Sequence, residues 1–263
     1  MRVLRNSMFA LGLLCVAMTT AQAADTVLIT GANRGIGLEF AKQYAARGWR
    51  VIATHRSEAQ PETLIALRER YPESVAVERL DVTNHAMIDQ LAARYRGQPI
   101  DVLINNAGIV GALDHVQDQI FGSLDYDLFA LFMRTNVAGP LKVSEAFLEN
   151  VKASRLKRIV AISSLAGSFE GASLNRPGRI HYKTSKAALN MAMTSIAIAT
   201  AADGIIAIAM NPGGVKVEKL AGMDLPGFIE PEVSIRGMIG VIDKLTPADS
   251  GSFLSYTGER APW

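Results

Sequence analysis

The chain has one cysteine, Cys15, so it cannot form a disulfide with itself. Its four histidines (His55, His85, His115 and His181) are scattered without the spacing that metal ligation requires, and no metal site is expected. No Asp or Glu precedes Asp25. Surplus charge is also missing. The net charge of +2 comes from Arg2 and Arg5, and the remainder carries 25 basic residues against 25 acidic ones. That balance excludes the basic footprint of a nucleic-acid binder. No apolar run reaches the ~20 residues of a membrane span, so no stable membrane anchor is expected. What is present is a 263-residue chain that is 49% hydrophobic. That is enough to build one large domain around a substantial core.

The first 23 residues, "MRVLRNSMFALGLLCVAMTTAQA", have a basic start, an apolar run over 8–18, and small residues at Ala21 and Ala23. This is the layout of a secretory signal peptide cleaved after Ala23, which implies a periplasmic or secreted protein. Cys15 follows the bulky Leu14 and makes a poor lipoprotein acceptor. The competing reading starts translation at Met18 and leaves the protein in the cytoplasm.

From residue 24 onward, short β-rich runs alternate with helical stretches. Strands are expected at 26–30, 50–54, 75–82, 101–108, 158–164, 205–213 and 252–256. Helices are expected at 35–47, 61–70, 84–96, 125–150, 179–202 and 231–244. Such alternation predicts right-handed crossovers and a parallel sheet covered on both faces. The expected fold is therefore a single doubly wound α/β Rossmann domain over 24–263, with about seven strands and helices on both faces.

The first strand runs into "TGANRGIG", Thr30 to Gly37. Gly31 permits a tight turn. Gly35 and Gly37 let a diphosphate approach the helix N-terminus, where free N–H groups and the macrodipole favour anions. The intervening Asn33 and Ile36 belong to the same candidate cofactor surface. The second strand ends in "ATHRS", without the carboxylate that an NAD site usually places there. Arg56 follows it, and Arg34 lies inside the glycine turn. Two guanidiniums suit a 2′-phosphate, which favours NADP(H) over NAD(H). Comparable affinity for NADH and NADPH would contradict this. Asp81, beside Val82 in "LDV", is placed either to accept from an adenine amino group or to cap the next helix.

Tyr182 and Lys186 in "HYKTSKAALN" stand one helical turn apart, a spacing that many helices show without any chemistry. The ordered set around them is specific. "TGANRGIG", "LDV", "NNAG" (105–108), "TNVAGP" (135–140), "ISS" (162–164), "YKTSK" (182–186) and "NPGGV" (211–215) occur in sequence on the expected elements. Together they resemble the short-chain dehydrogenase/reductase family across essentially the whole of 24–263. The stretch "NRPGRIHYKTSKAALN" and the C-terminal "SGSFLSYTGERAPW" look most like its branch of sniffer-type carbonyl reductases and C-factor-like proteins.

The resemblance implies a catalytic set of Asn136, Ser164, Tyr182 and Lys186. It adds Asn106, Ala107, Gly108, Pro212 and Gly213 to the cofactor side, with Tyr182 and Lys186 touching the cofactor as well. It implies reduction of an aldehyde or ketone by NADPH, with Tyr182 as the proton donor and Ser164 on the carbonyl oxygen. Bringing a tyrosine from a pKa of about 10 to about 7 needs about 4 kcal/mol. A unit charge ~4 Å away at an effective dielectric of ~20 supplies about that much, and Lys186 is the implied source. Asn136 would order a water that passes protons to Lys186. Many relatives have a threonine shortly after the PG pair, where this chain has Val217 and Glu218. The loop 214–231 carries Leu220, Met223, Leu225 and Phe228, a composition that suits an apolar lid, a covered core or a subunit contact. The family also implies a homodimer or homotetramer built on long helices. The alternative function is an NADP(H)-binding signalling or interaction protein of C-factor type with little turnover.

Overall fold

Apolar runs with little polar alternation ("TVLI", "RVIATH", "VLIN", "RIVAI", "IAIAMN") mark strands buried on both faces. In the computed structural model they form one parallel sheet. The structure describes residues 24–111, 117–170, 178–220, 222–223 and 226–263. The elements in chain order are β1 (Thr26–Ile29), α1 (Gly35–Ala46), β2 (Arg50–His55), α2 (Glu62–Arg70), β3 (Val75–Arg79), α3 (His85–Arg94) and β4 (Val102–Asn105). Then come α4 (Tyr126–Met133), α5 (Gly139–Ala146), α6 (Leu148–Lys152), β5 (Arg158–Ile162), α7 (Ile180–Ala199) and β6 (Ile206–Asn211). A short pair β7 (Gly214–Val215) and β8 (Phe228–Ile229), α8 (Pro231–Lys244) and β9 (Phe253–Ser255) complete the chain.

The seven-stranded sheet has the order β3-β2-β1-β4-β5-β6-β9, with every pairing parallel. Successive residues of β1 show how it is wound. Val27 and Ile29 face a cluster containing Phe40 and Tyr44 of α1, Leu64 of α2, and Ile235 and Met238 of α8. Leu28 faces the other cluster, with Ile88 and Leu91 of α3, Val143 of α5, and Leu189 and Met193 of α7. The order in which strands are added reverses between β1 and β4, and the crevice beyond the strand ends at such a switch point is where α/β sheets of this kind bind ligands. Among the described residues no helix is long and apolar enough to cross a membrane.

Two expectations need correction. The strands expected at 75–82, 101–108 and 205–213 stop at Arg79, Asn105 and Asn211. The residues beyond them ("LDV", "NAG", "PG") form the crevice loops instead. The single helix expected over 125–150 is broken into α4, α5 and α6. Asp125 caps α4 by accepting from the backbone N–H groups of Asp127 and Leu128. A π turn, Arg134–Ala138, then joins α4 to α5, with the Gly139 N–H donating to the Arg134 carbonyl. Pro140 has no N–H to give the carbonyl of Asn136, its α-helical partner four residues back. A β-carbon at Gly139 would lie 3.0 Å from the Val82 side chain, so the chain approaches α3's entry loop closely at the π turn.

Candidate active site

The glycine turn is held by side chains from neighbouring strands. Thr30 is its hub, its hydroxyl accepting from the backbone N–H groups of Asn106 (2.9 Å) and Ala107 (3.0 Å). The Asn106 amide donates to the carbonyls of Thr30 (2.9 Å) and Gly31 (3.0 Å). Thr54 Oγ1 accepts from the Gly31 N–H at 3.3 Å, and the Asn33 carbonyl accepts from Thr63 Oγ1 at 2.7 Å. A β-carbon on Gly37 would collide with the Asn106 amide and the Gly31 carbonyl, so only glycine lets the turn close. Ile36 is half-buried against the core. The Asn106 side chain is thus committed to shaping the turn.

The turn suits an anion. Arg34 at the N-cap of α1 gives no side-chain cap, and no acidic residue lies in the first turn. The N–H groups that open α1 are therefore left to a group from outside the helix. Arg34 and Arg56 are exposed and make no ion pair among the described residues. His55 ends β2 buried, where an NAD site would carry an acid. Burial, reinforced by the charge of Arg79, holds its pKa below the usual imidazole value. Asp81 Oδ1 accepts from the backbone N–H (2.9 Å) and hydroxyl (2.8 Å) of Thr83, while Asn84 caps α3 by accepting from the Met87 N–H. Val82 is buried beneath Gly139.

The catalytic candidates converge beyond β4, β5 and β6. Ser164 follows β5 and opens a 3₁₀ turn, Leu165–Gly167, its hydroxyl accepting from the Ala166 N–H at 3.1 Å. A β-carbon on Gly167 would come within 2.5 Å of the Lys186 carbonyl carbon. The glycine three residues after Ser164 is what allows this turn to lie against α7. There the Ser164 side chain hydrogen-bonds the Tyr182 phenol. Lys186 is 6% exposed, with Nζ donating to the Ile162 carbonyl at 2.8 Å and lying 5.8 Å from the centre of the Tyr182 ring. A β-carbon at Gly108 would sit 3.1 Å from Asn136 Oδ1 and 3.7 Å from Lys186 Nζ, so these three residues surround one point.

Asn136, 1% exposed, is fully engaged through its side chain. Oδ1 accepts from the Ile109 N–H (2.8 Å), and Nδ2 donates to the Ile109 carbonyl (2.9 Å) and Ser185 Oγ (2.9 Å). It pins the loop after β4 to α7.

The electrostatics differ from the sequence argument in one respect. Burial pushes the Tyr182 phenol above its ordinary value, against the lowering effects of the Ser164 hydrogen bond and the Arg179 charge. The Lys186 ammonium donates to the Ile162 carbonyl rather than to the phenol. Burial lowers Lys186 itself to about 8.

Several supporting residues were not singled out from sequence. Gln119 Oε1 accepts from the Tyr182 backbone N–H at 3.3 Å, and Ser185 Oγ donates to the Tyr182 carbonyl at 2.8 Å. His181 packs edge-on to Phe129 and Phe132, holding the start of α7 against α4. Ser163 Oγ donates to Asn190 Oδ1 at 2.5 Å, fixing β5 to α7. The C-terminal Trp263 carbonyl accepts from the Phe169 N–H (2.7 Å) and Ser168 Oγ (3.0 Å), anchoring the segment after Ser164. Apart from the Ser185–Tyr182 bond, these contacts join distant parts of the chain and so have no local motif. The Pro212 carbonyl accepts from Ser234 Oγ (2.6 Å), and Gly213 turns against the Tyr256 ring. In the following loop Glu218 Oε1 accepts from the Gly35 N–H at 2.5 Å. Leu220 is half-buried, and Met223 and Phe228 are exposed. Leu225 and the 171–177 part of "NRPGRIH" lie outside the described residues.

A glycine-rich βα turn at the switch point, beside a Ser–Tyr–Lys constellation, defines a dinucleotide-dependent oxidoreductase. The short chain dehydrogenase family model matches residues 25–224, and the chain belongs to that family. The chain is 38% identical over 165 residues to the C-signal of Myxococcus xanthus, covering 63% of this chain and 93% of that protein. Among solved structures it is similar to NADPH-bound carbonyl reductase from chicken fatty liver, with a TM-score of 0.81 and 31% identity over 91% of this chain and 99% of that one. It is also similar to the carbonyl reductase Sniffer of D. melanogaster, with a TM-score of 0.79 and 25% identity over 91% of this chain and all of that one (100%).

Proposed function

We propose that this protein is an NADPH-dependent reductase of small aldehydes or ketones. The observation that carries the reading is the Ser164–Tyr182 hydrogen bond with Lys186 one helical turn on, beside a glycine turn whose helix N-terminus has no local cap. The carbonyl reductases among its structural relatives support the same chemistry. When bound, NADPH supplies the hydride. Arg34 and Arg56 are the residues suited to its 2′-phosphate, and the N–H groups opening α1 to its diphosphate.

The chain's own residues do the rest. Ser164 donates a hydrogen bond to the substrate carbonyl oxygen and stabilises the charge that develops there. Tyr182 delivers the proton to that oxygen. A phenol held above its ordinary pKa stays protonated at neutral pH, which is the form a donor needs. Lys186, positively charged below about pH 8, stands one turn away to stabilise the phenolate left behind. Asn136 fixes the Ile109 loop that forms the wall opposite α7.

Tyr182→Phe tests this. NADPH oxidation against a panel of aldehydes, ketones and quinones is expected to fall by about 10³-fold, with NADPH affinity retained. Undiminished turnover in the variant would sink the assignment. The signalling alternative has no observation in its favour beyond one relative's name.

The same reading extends to location and assembly. Residues 1–23 act as an export signal, on the strength of their basic start, apolar run and small residues before the cleavage point. The intact mass of the cellular product checks this, and a protein that keeps residues 18–23 would refute it. Subunit pairing through α5 and α7 is supported by exposed Leu141, Met191 and Ile198. A monomer by light scattering would refute that.

A further inference from the structure

The first turn of α1 has neither a side-chain cap nor an acidic residue of its own. A group from 183 residues further along the chain supplies one, as Glu218 Oε1 accepts from the Gly35 N–H at 2.5 Å. Oε2 lies 3.7 Å from where a Gly35 β-carbon would stand, and Val217 Cγ1 lies 3.2 Å from the same point. The Val217–Glu218 pair therefore lies over the glycine turn. Glu218 is exposed and makes no ion pair among the described residues, so its carboxylate has no partner there that competes with the helix N-terminus. By contrast, Lys216, two residues earlier, is paired with Glu230 at 3.3 Å.

We propose that Glu218 is an internal anion occupying the diphosphate position of the glycine turn, and that NADP(H) must expel it to bind. The proposal rests on reading the turn as the cofactor's diphosphate site. Two negatively charged groups cannot share the few N–H donors that open one helix. Glu218 thus sets the cofactor affinity of the free enzyme.

Calorimetric titration of the wild type, Glu218→Gln and Glu218→Ala, each with NADPH and with adenosine 2′-phosphate, tests this. Glutamine keeps the length and an acceptor oxygen but removes the charge, and alanine removes both. Adenosine 2′-phosphate carries the adenine and 2′-phosphate without a diphosphate, so it has no reason to displace Glu218. Both variants are expected to bind NADPH about tenfold more tightly than the wild type. Their affinity for adenosine 2′-phosphate should stay within about twofold. Unchanged or weakened NADPH binding in both variants would overturn the proposal. So would equal tightening for both ligands, which would mark a diffuse charge effect. If no form binds NADPH while all are folded, the reading of the turn itself fails, a result distinct from the other two.

Discussion

The wall formed by the Ser164 turn and α7 contrasts with the loop that follows β6. In the wall, a β-carbon on Gly167 would collide with α7's backbone, and Ser163, Ser185 and Asn136 are each hydrogen-bonded across elements. In the loop, Gly222 and Gly227 would meet nothing. Among the described residues the loop is held by the two-residue β7–β8 pair, the Lys216–Glu230 ion pair and Glu218's bond to α1. The chemistry sits where packing leaves one arrangement, because a proton donor displaced by about 1 Å loses about 10²-fold in rate.

Breaking that contrast should have graded effects. Gly167→Ala forces the Ser164 turn away from α7. It is expected to lower kcat by about 10²-fold with NADPH affinity within about twofold. Steady-state kinetics beside cofactor titration checks this, and full activity would mean that the wall yields as readily as the loop. Gly222→Ala, with φ +76° and open space, is expected to cost only about 1–2 kcal/mol of backbone strain, read as a shift in the urea midpoint.

Lys186 gives a subtler test of the wall. Burial lowers its pKa to about 8, whereas the unfolded chain titrates near 10.5. Between those values the unfolded state binds more protons, so stability rises with pH there. Below pH 8 both states carry the charge, and the folded state bears the full burial penalty. Above 10.5 both are neutral and the penalty is gone. Relative to Lys186→Met, the wild type should therefore gain roughly 3 kcal/mol between pH 8 and 10.5. Urea unfolding across that range measures it, and a constant difference between the two proteins would show that Lys186 is not buried as a cation.

Much of the fold can be read from local pattern. The strands are legible because short runs rich in Val, Ile, Leu and Ala alternate with longer helical stretches, the pattern of a parallel sheet covered on both faces. Tyr182 and Lys186 were legible because helical periodicity puts i and i+4 on one side whatever surrounds them. The broken helix at 134–138 was hidden. Gly139 and Pro140 beside it are local signals, but the π turn's packing against Val82 and its bonds to the loop at Ile109 join parts of the chain far apart in sequence. The bonds of the Asn106 side chain to the turn's carbonyls were likewise hidden, because they join positions some 75 residues apart.

The sequence by itself determined the order of strands and helices, the glycine turn, the lack of an acid after β2, and the residues able to exchange a proton. These depend on period, residue type and separations of a few positions. Only the tertiary structure decided that Asn136 spends its side chain on Ile109 and Ser185, that burial moves Tyr182 and Lys186 in opposite directions, and that Glu218 caps α1. Each of those depends on which groups are brought together, and which are taken from water, by contacts between distant parts of the chain.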